Sequence, residues 1–195
     1  MTNVMHGTDI TQIGNKLIRA KAKKVSNPTS KVIQTIIKDL VASMHTHELV
    51  GIAAPQIAKS VRVFITEIRK TQLRKGQSIK NVDPLRIFIN PKVLSVSKEK
   101  TSGWEGCGSI AFAHLFGVTR RPASVTIEAL DEKGKKFRLK AGGLLARVIQ
   151  HEIDHLDGVV FTDKADASTY MSRDEYLKLR AKKKRKEPCA KSTGR

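Results

Sequence analysis

The sequence predicts an α+β fold, with short mixed or antiparallel strands packed around a central helix and a further helix near the C-terminal end. Three observations predict it. Apolar residues recur at helical spacing in two well-separated stretches. Short strand-like runs lie between them instead of alternating regularly with helices, which argues against a doubly wound parallel sheet. The chain of 195 residues, 39% hydrophobic and only 5% aromatic, is long enough for one domain with a mainly aliphatic core.

The elements follow in order. Residues 30–48 carry Val32, Ile33, Ile36, Ile37, Leu40, Val41 and Met44 on a helical repeat, with Ser30 placed as N-cap. Gly51 and Pro55 end that pattern. Residues 61–65 alternate as a strand does, and 69–84 are polar enough to read as a loop. Two short strands, 86–89 and 92–96, flank Asn90-Pro91. Residues 124–130 and 136–139 flank a turn at 131–134 and form a hairpin. A helix is expected over 142–157, closed by Gly158. A last helix runs over 172–186 and stops before Pro188. We divide the chain into a catalytic domain, 1–170, and a C-terminal helix with a basic tail, 171–195.

Composition narrows the function. No run of about 18 apolar residues is present, so no membrane span is expected. The first residues lack the apolar stretch of a signal peptide. Two cysteines, Cys107 and Cys189, do not make a disulfide framework, which suits a reducing cytoplasm and a thiol used for chemistry. The net charge of +19 points to a polyanionic partner, and nine Lys or Arg against one acid between Lys178 and Arg195 place that function in the tail. The tail lacks the interleaved aromatics of an RNA-stacking surface, so it would act through charge on phosphates. The basic cluster around Lys16–Lys24 reads as a solvated surface.

His151-Glu152-Ile153-Asp154-His155 carries the chemistry. Histidines four apart on a helix project to one side and can hold one metal ion, while Glu152 stands close enough to serve a water without being a ligand. Chance would supply such a pattern about 0.007 times in a chain of this composition. The central helix is therefore read as metal-binding. Leu144 and Val148 share the histidine face, so the ligands are expected to point toward an apolar interior. A catalytic ion needs a third protein ligand. The pattern H-E-x-x-H-x-x-G-x-x-H fails, because Phe161 stands where its third histidine would be. Glu175, on the later helix, and Cys107, between Gly106 and Gly108, are the remaining candidates.

Three segments resemble the peptide deformylase family: Val50-Gly51-Ile52-Ala53-Ala54-Pro55-Gln56, Glu105-Gly106-Cys107-Gly108-Ser109, and Gln150-His151-Glu152-Ile153-Asp154-His155. They match its G-x-G-x-A-A-P-Q, E-G-C-x-S and Q-H-E-x-D-H patterns, and the likeness spans roughly residues 9–165. It begins so near Met1 that little room for a transit peptide is expected. The resemblance implies that Cys107, His151 and His155 bind the metal, with Fe2+ favoured and Zn2+, Ni2+ or Co2+ accepted by the same donors. It implies that Glu152 is the general base, and that Gln56 with the Gly108 backbone N–H stabilises the oxyanion. The expected reaction is removal of the formyl group from N-formylmethionine on nascent peptides, releasing formate, in the cytoplasm. Gly51, Leu144 and Val148 are expected at the substrate. Ribosome binding through the basic tail is expected as well.

Two departures stand out. Leu49 replaces the first glycine of the first segment, and Gly108 replaces the leucine usual in the second. Leucine disfavours positive φ, which leaves two alternatives: the loop at Leu49 shifts outward and opens the site, or residues 112–116 close over the gap instead. Residues 110–118 are also unusually apolar. Asp154 could orient a ligand or could be a surface carboxylate, and Arg121 matches an arginine near the family's site. The competing readings are a zinc metalloendopeptidase with Glu175 as third ligand, and a catalytically weak ribosome-associated relative of the deformylases.

Overall fold

A computed structural model describes residues 9–70 and 82–186. Most of the expected loop 69–84, and the tail beyond residue 186 with Cys189, lie outside the described residues. Helices α1 (Lys16–Arg19) and α2 (Lys31–Thr46) precede strands β1 (Gly51–Ala53), β2 (Val63–Ile68), β3 (Asp83–Val96), β4 (Lys100–Gly106), β5 (Leu115–Pro122), β6 (Ser124–Leu130) and β7 (Lys136–Gly142). Helix α3 (Gly143–Leu156), strand β8 (Ala165–Ser172) and helix α4 (Arg173–Lys186) follow. The strands form an antiparallel five-stranded sheet in the order β1-β2-β3-β6-β7 and an antiparallel three-stranded sheet in the order β4-β5-β8. The expected α+β class, with a central and a C-terminal helix, is the one observed.

Helix α3 holds the two sheets in register with the site, touching β1, β2, β6 and β7 of the larger sheet and β5 of the smaller. Its Ala146, Ile149, Ile153 and Leu156 pack on Phe64, Phe88, Val125 and Ile127, where Phe64 and Phe88 stack at 4.4 Å. Helix α2 packs Ile33, Ile36, Ile37, Leu40 and Met44 against Ile52, Val63, Ile65 and Ile89, and Ser30 Oγ accepts from the Ile33 N–H as the expected N-cap. Val32, grouped with that face in the sequence, points to solvent instead and is 69% exposed. It lies next to the apolar stripe but outside its arc.

The two short strands expected around Asn90-Pro91 are one strand, β3, with a bulge between Ile89 and Lys92. Asn90 takes the left-handed conformation (φ 52°) that the bulge needs. Its side-chain amide exchanges two 2.8 Å hydrogen bonds with the Val25 backbone, tying the N-terminal segment to the sheet. After α3 the chain turns at Gly158 (φ 76°), where a Cβ would run into the Arg19 carbonyl. That close approach lets the N-terminal segment lie across the end of the central helix.

Candidate active site

Strand β4 ends at Gly106 and delivers Cys107 to the face of α3 that carries His151 and His155. The donor atoms of these three residues lie within 4.8 Å of one another. Cys107 Sγ is 3.1 Å from His155 Nε2. Cys107 and His155 are buried, and His151 keeps 11% of its side chain exposed toward the cavity. Burial pushes the Cys107 thiol up. The charge of His155 and hydrogen bonds from both imidazoles outweigh it and hold the thiol well below its usual range. The thiolate is thus the favoured form, which is the form that ligates metals.

His151 Nδ1 lies 3.0 Å from Glu105 Oε2, and a hydrogen bond donated there directs Nε2 toward Cys107 and His155, where it can ligate an ion once its proton is lost. Glu105 is the centre of a buried charged network that its place in the sequence did not reveal. Arg121, 4% exposed, donates Nε to Glu105 Oε1 (2.6 Å) and Nη2 to Oε2 (2.8 Å), and Nη1 reaches Asp154 Oδ2 (2.7 Å). Arg147 adds a 2.7 Å contact to Glu105 Oε1, and Lys164 holds Asp154 Oδ1 at 2.6 Å. Burial opposes the ionised form of Glu105, but the hydrogen bonds and charges of Arg121 and His151 hold its carboxyl well below the usual carboxylate range. Asp154 therefore anchors Arg121 and, with its side chain 13% exposed, is not a plain surface carboxylate. The sequence marks Glu105 only as the acid that opens the Glu105-Gly106-Cys107-Gly108-Ser109 segment, without giving it a partner.

Glu152 is 3% exposed, and its Oε2 is a buried oxygen with no hydrogen-bond partner. Burial raises its carboxyl against the opposing charges of His151 and His155, leaving it pushed up to about 7. A group poised there can accept a proton and return it near neutral pH. Gly51 makes this placement possible. A Cβ on it would stand 2.7 Å from Val148 Cγ1 and 2.8 Å from Glu152 Oε1, so only glycine lets β1 pass this close to α3. Gln56, also buried, is aimed by its own backbone neighbour. Its Oε1 accepts from the Ala53 N–H at 2.8 Å, which turns Nε2 toward Ser109 Oγ (3.3 Å) and Cys107 Sγ (3.6 Å).

These residues open onto a cavity of about 560 Å3. Gly51, Gln56, Cys107, Gly108, Leu144, Val148, His151 and Glu152 all line it, so every expected site residue except the enclosed His155 reaches the same space. Leu144 was expected to face the interior but is 39% exposed at the rim, one turn nearer solvent than Val148. The far wall is a finding. Tyr176 of α4 is buried, stacks on Phe116 at 4.3 Å, and lies 5.5 Å from Trp104, with Arg180 over its ring at 5.4 Å. The last helix, read from sequence as separate from the catalytic domain, thereby closes one side of the cavity. The apolar run 110–118 serves this wall through Phe116, while Phe112 points away and is 71% exposed.

Glu175 is not brought to the site. Its side chain is 60% exposed and paired with Lys178 at 2.6 Å, because the helix turns Tyr176 inward and its neighbour outward. Leu49 itself does not take the left-handed backbone that a leucine disfavours. Glu48 takes the left-handed position (φ 53°) at the end of α2, and the Leu49 N–H bonds to the Met44 carbonyl at 2.9 Å. Leu49 therefore needs no unusual backbone and half-buries its side chain against the α2 core.

Comparison with known proteins agrees with this geometry. Residues 8–170 match the model of the family described as polypeptide deformylase. A peptide deformylase of Treponema pallidum is 38% identical over 157 residues, covering 79% of this chain and 86% of the relative. Peptide deformylase 2 of a Nostoc species is 36% identical over 171 residues, covering 87% of this chain and 93% of the relative. Among solved structures, a Synechococcus elongatus peptide deformylase in complex with actinonin superimposes with a TM-score of 0.71 at 31% identity, covering 91% of this chain and 86% of that one. A Met-Ala-Ser-bound class I type b peptide deformylase from Acinetobacter baumannii gives 0.71 at 28% identity, covering 80% and 97%.

Proposed function

The chain belongs to the polypeptide deformylase family, metal-dependent hydrolases that remove the formyl group from N-formylmethionine of nascent peptides, and we propose how its own residues carry that reaction. Cys107, His151 and His155 hold the ion. The observation that carries this is the convergence of their three donor atoms within 4.8 Å, beside the unpartnered Oε2 of Glu152. The donor set suits the group: one thiolate and two imidazoles that ligate on losing a proton, with His151 fixed by Glu105. These donors accept Fe2+, Zn2+, Ni2+ or Co2+, and we favour Fe2+. When bound, the ion polarises the formyl carbonyl and lowers the pKa of water.

Glu152 takes the proton of the attacking water at its free carboxylate oxygen and delivers it to the departing amine. The Gln56 side-chain amide, aimed by the Ala53 N–H, and the Gly108 backbone N–H donate to the carbonyl oxygen as negative charge develops there. Strand β1 is an edge of its sheet, so an extended peptide can lie along it with its methionine side chain against Val148, Leu144 and Gly51. Tyr176 and Phe116 would face residues beyond the methionine. Residues 1–170 supply all of this chemistry, and the C-terminal helix adds one wall.

We further place the enzyme in the cytoplasm with its nascent substrates. Among the described residues no helix is long and apolar enough to cross a membrane. The basic tail would bring it to ribosomal RNA phosphates by charge. The deciding experiment is formate release from a formyl-Met peptide by protein purified without oxygen. Turnover supports the assignment, and its absence in metal-loaded protein would sink it.

A further inference from the structure

Position 108 is a glycine for reasons of space, because its backbone is not left-handed. A Cβ there would stand 2.8 Å from Ile10 Cδ1, 3.5 Å from Ile10 Cγ2 and 3.6 Å from Leu49 Cδ1. Two side chains from distant parts of the chain thus occupy the space beside the Gly108 α-carbon. Each is held independently. Leu49 is fixed by the left-handed Glu48 and by the bond from its N–H to the Met44 carbonyl. Ile10 belongs to an N-terminal segment strapped to the Cys107–Ser109 loop, where Gln12 Nε2 donates to the Gly108 carbonyl at 2.8 Å and the Ile13 N–H to the Ser109 carbonyl at 2.8 Å. Gly108 and Leu49 also line the catalytic cavity together.

We propose that Leu49 is a positioning residue for the Gly108 N–H, and that the two departures at positions 49 and 108 are one exchange of volume across the cavity wall. The leucine that the loop after α2 gains takes, with Ile10, the place of the side chain that position 108 lacks. The bonds from Gln12 and Ile13 hold the carbonyls of the loop, and Leu49 adds packing on its cavity side. Leu49 packs on the α2 core and places Cδ1 3.6 Å from where a Cβ of Gly108 would stand, which sets the helix beside the loop. The inference rests on the assignment of the Gly108 N–H as an oxyanion donor.

The test is a double-mutant cycle of Leu49→Gly and Gly108→Leu, read in kcat, KM, metal content and melting temperature. Leu49→Gly should lower kcat about tenfold, a part of the loss for removing an oxyanion donor, while KM and metal content stay within about twofold. Leu49→Met should keep most of the rate, because it refills the same space. Gly108→Leu should also lose rate, since Ile10 Cδ1 must give way to the new Cβ and the rest of the side chain then meets Leu49. The double variant should recover to within about threefold of the unsubstituted enzyme, because the new side chain can turn into the space Leu49 has left. Losses that multiply in the double variant would overturn the pairing. So would coupling confined to melting temperature with kcat uncoupled, which would make the contact structural only. An unsubstituted, metal-loaded chain that releases no formate would remove the donor role and the positioning with it. That result is distinct from an active chain with independent losses, which overturns the pairing alone.

Discussion

Replacing Arg121 with methionine tests whether the buried charged network builds the metal site. The guanidinium makes three close contacts, two to Glu105 (2.6 and 2.8 Å) and one to Asp154 (2.7 Å), from a side chain 4% exposed. Hydrogen bonds to charged groups contribute about 1.5–3 kcal/mol each, so a simple sum would reach roughly 4.5–9 kcal/mol. That sum is too large, because neither carboxylate is abandoned: Arg147 stays on Glu105 at 2.7 Å and Lys164 on Asp154 at 2.6 Å. Removing one partner of a buried pair costs about 3–5 kcal/mol. With the remaining cations in place, the lower end applies, and we expect about 3 kcal/mol. For a domain of this size that lowers the melting temperature by roughly 6–12 °C. The second consequence runs through His151, whose Nδ1–H partner Glu105 loses its bidentate clamp. Losing a group that orients a ligand typically weakens metal binding by about 10–100-fold. Urea unfolding gives the first quantity, and competition against a chelator gives the second. A variant with a melting temperature within about 1 °C of the parent and unchanged metal affinity would refute the reasoning, and would reduce Arg121 to a neutral core filler.

Three further outcomes follow from single contacts. Tyr176→Ala removes the ring stacked on Phe116 and should cost about 2–4 kcal/mol in stability. It should also raise KM for a formyl-Met tripeptide about fivefold, or roughly 1 kcal/mol, with less effect on formyl-Met itself. Steady-state kinetics on both substrates checks this. Asp163→Asn breaks the Arg19–Asp163 pair between α1 and the segment after α3. The hydrogen bond from Arg19 lowers the Asp163 carboxyl, so its stabilisation is present above the unfolded value of about 3.9 and is lost as pH falls through the lower folded value. Both side chains are more than a third exposed, so we expect only about 0.5 kcal/mol above pH ~5, closing toward pH ~3 in parallel denaturation curves. Truncation from Ala181 onward should weaken salt-sensitive co-sedimentation with ribosomes and leave small-peptide turnover unchanged. Equal binding by both forms would assign the tail to solubility.

Helices α2 and α3 were legible because each carries apolar residues at helical spacing, from Ile33 to Met44 and from Ala146 to Leu156. The β6–β7 hairpin was legible from its turn. Strands β4 and β8 were not, since Lys-Thr-Ser-Gly-Trp-Glu-Gly and Ala-Asp-Ala-Ser-Thr-Tyr-Met-Ser show no apolar alternation. They are strands because both pair with β5. Strand β1 has three residues, all buried, too few to show a period. The ligand candidates could be read because two sit on one helix and the third lies in a recognisable segment. Glu105, Arg121, Arg147 and Tyr176 could not be given roles, because each acquires its part only when β4, β5, α3 and α4 converge. Position 49 shows the same limit. A leucine that looked like a backbone problem is accommodated by a left-handed Glu48 and packs beside a glycine far along the chain.

The most direct test of the central claim is formate released per bound metal ion, measured on the parent enzyme, Glu152→Gln and Cys107→Ala prepared side by side without oxygen. Glu152→Gln should bind about one ion per chain, as the parent does, and release formate about 10²–10⁴-fold more slowly, because it loses the proton carrier and keeps the ligands. Cys107→Ala should lose most of its metal. A Cys107→Ala chain that stays fully loaded, or a Glu152→Gln chain that turns over at the parent rate, would contradict the assignment of both roles.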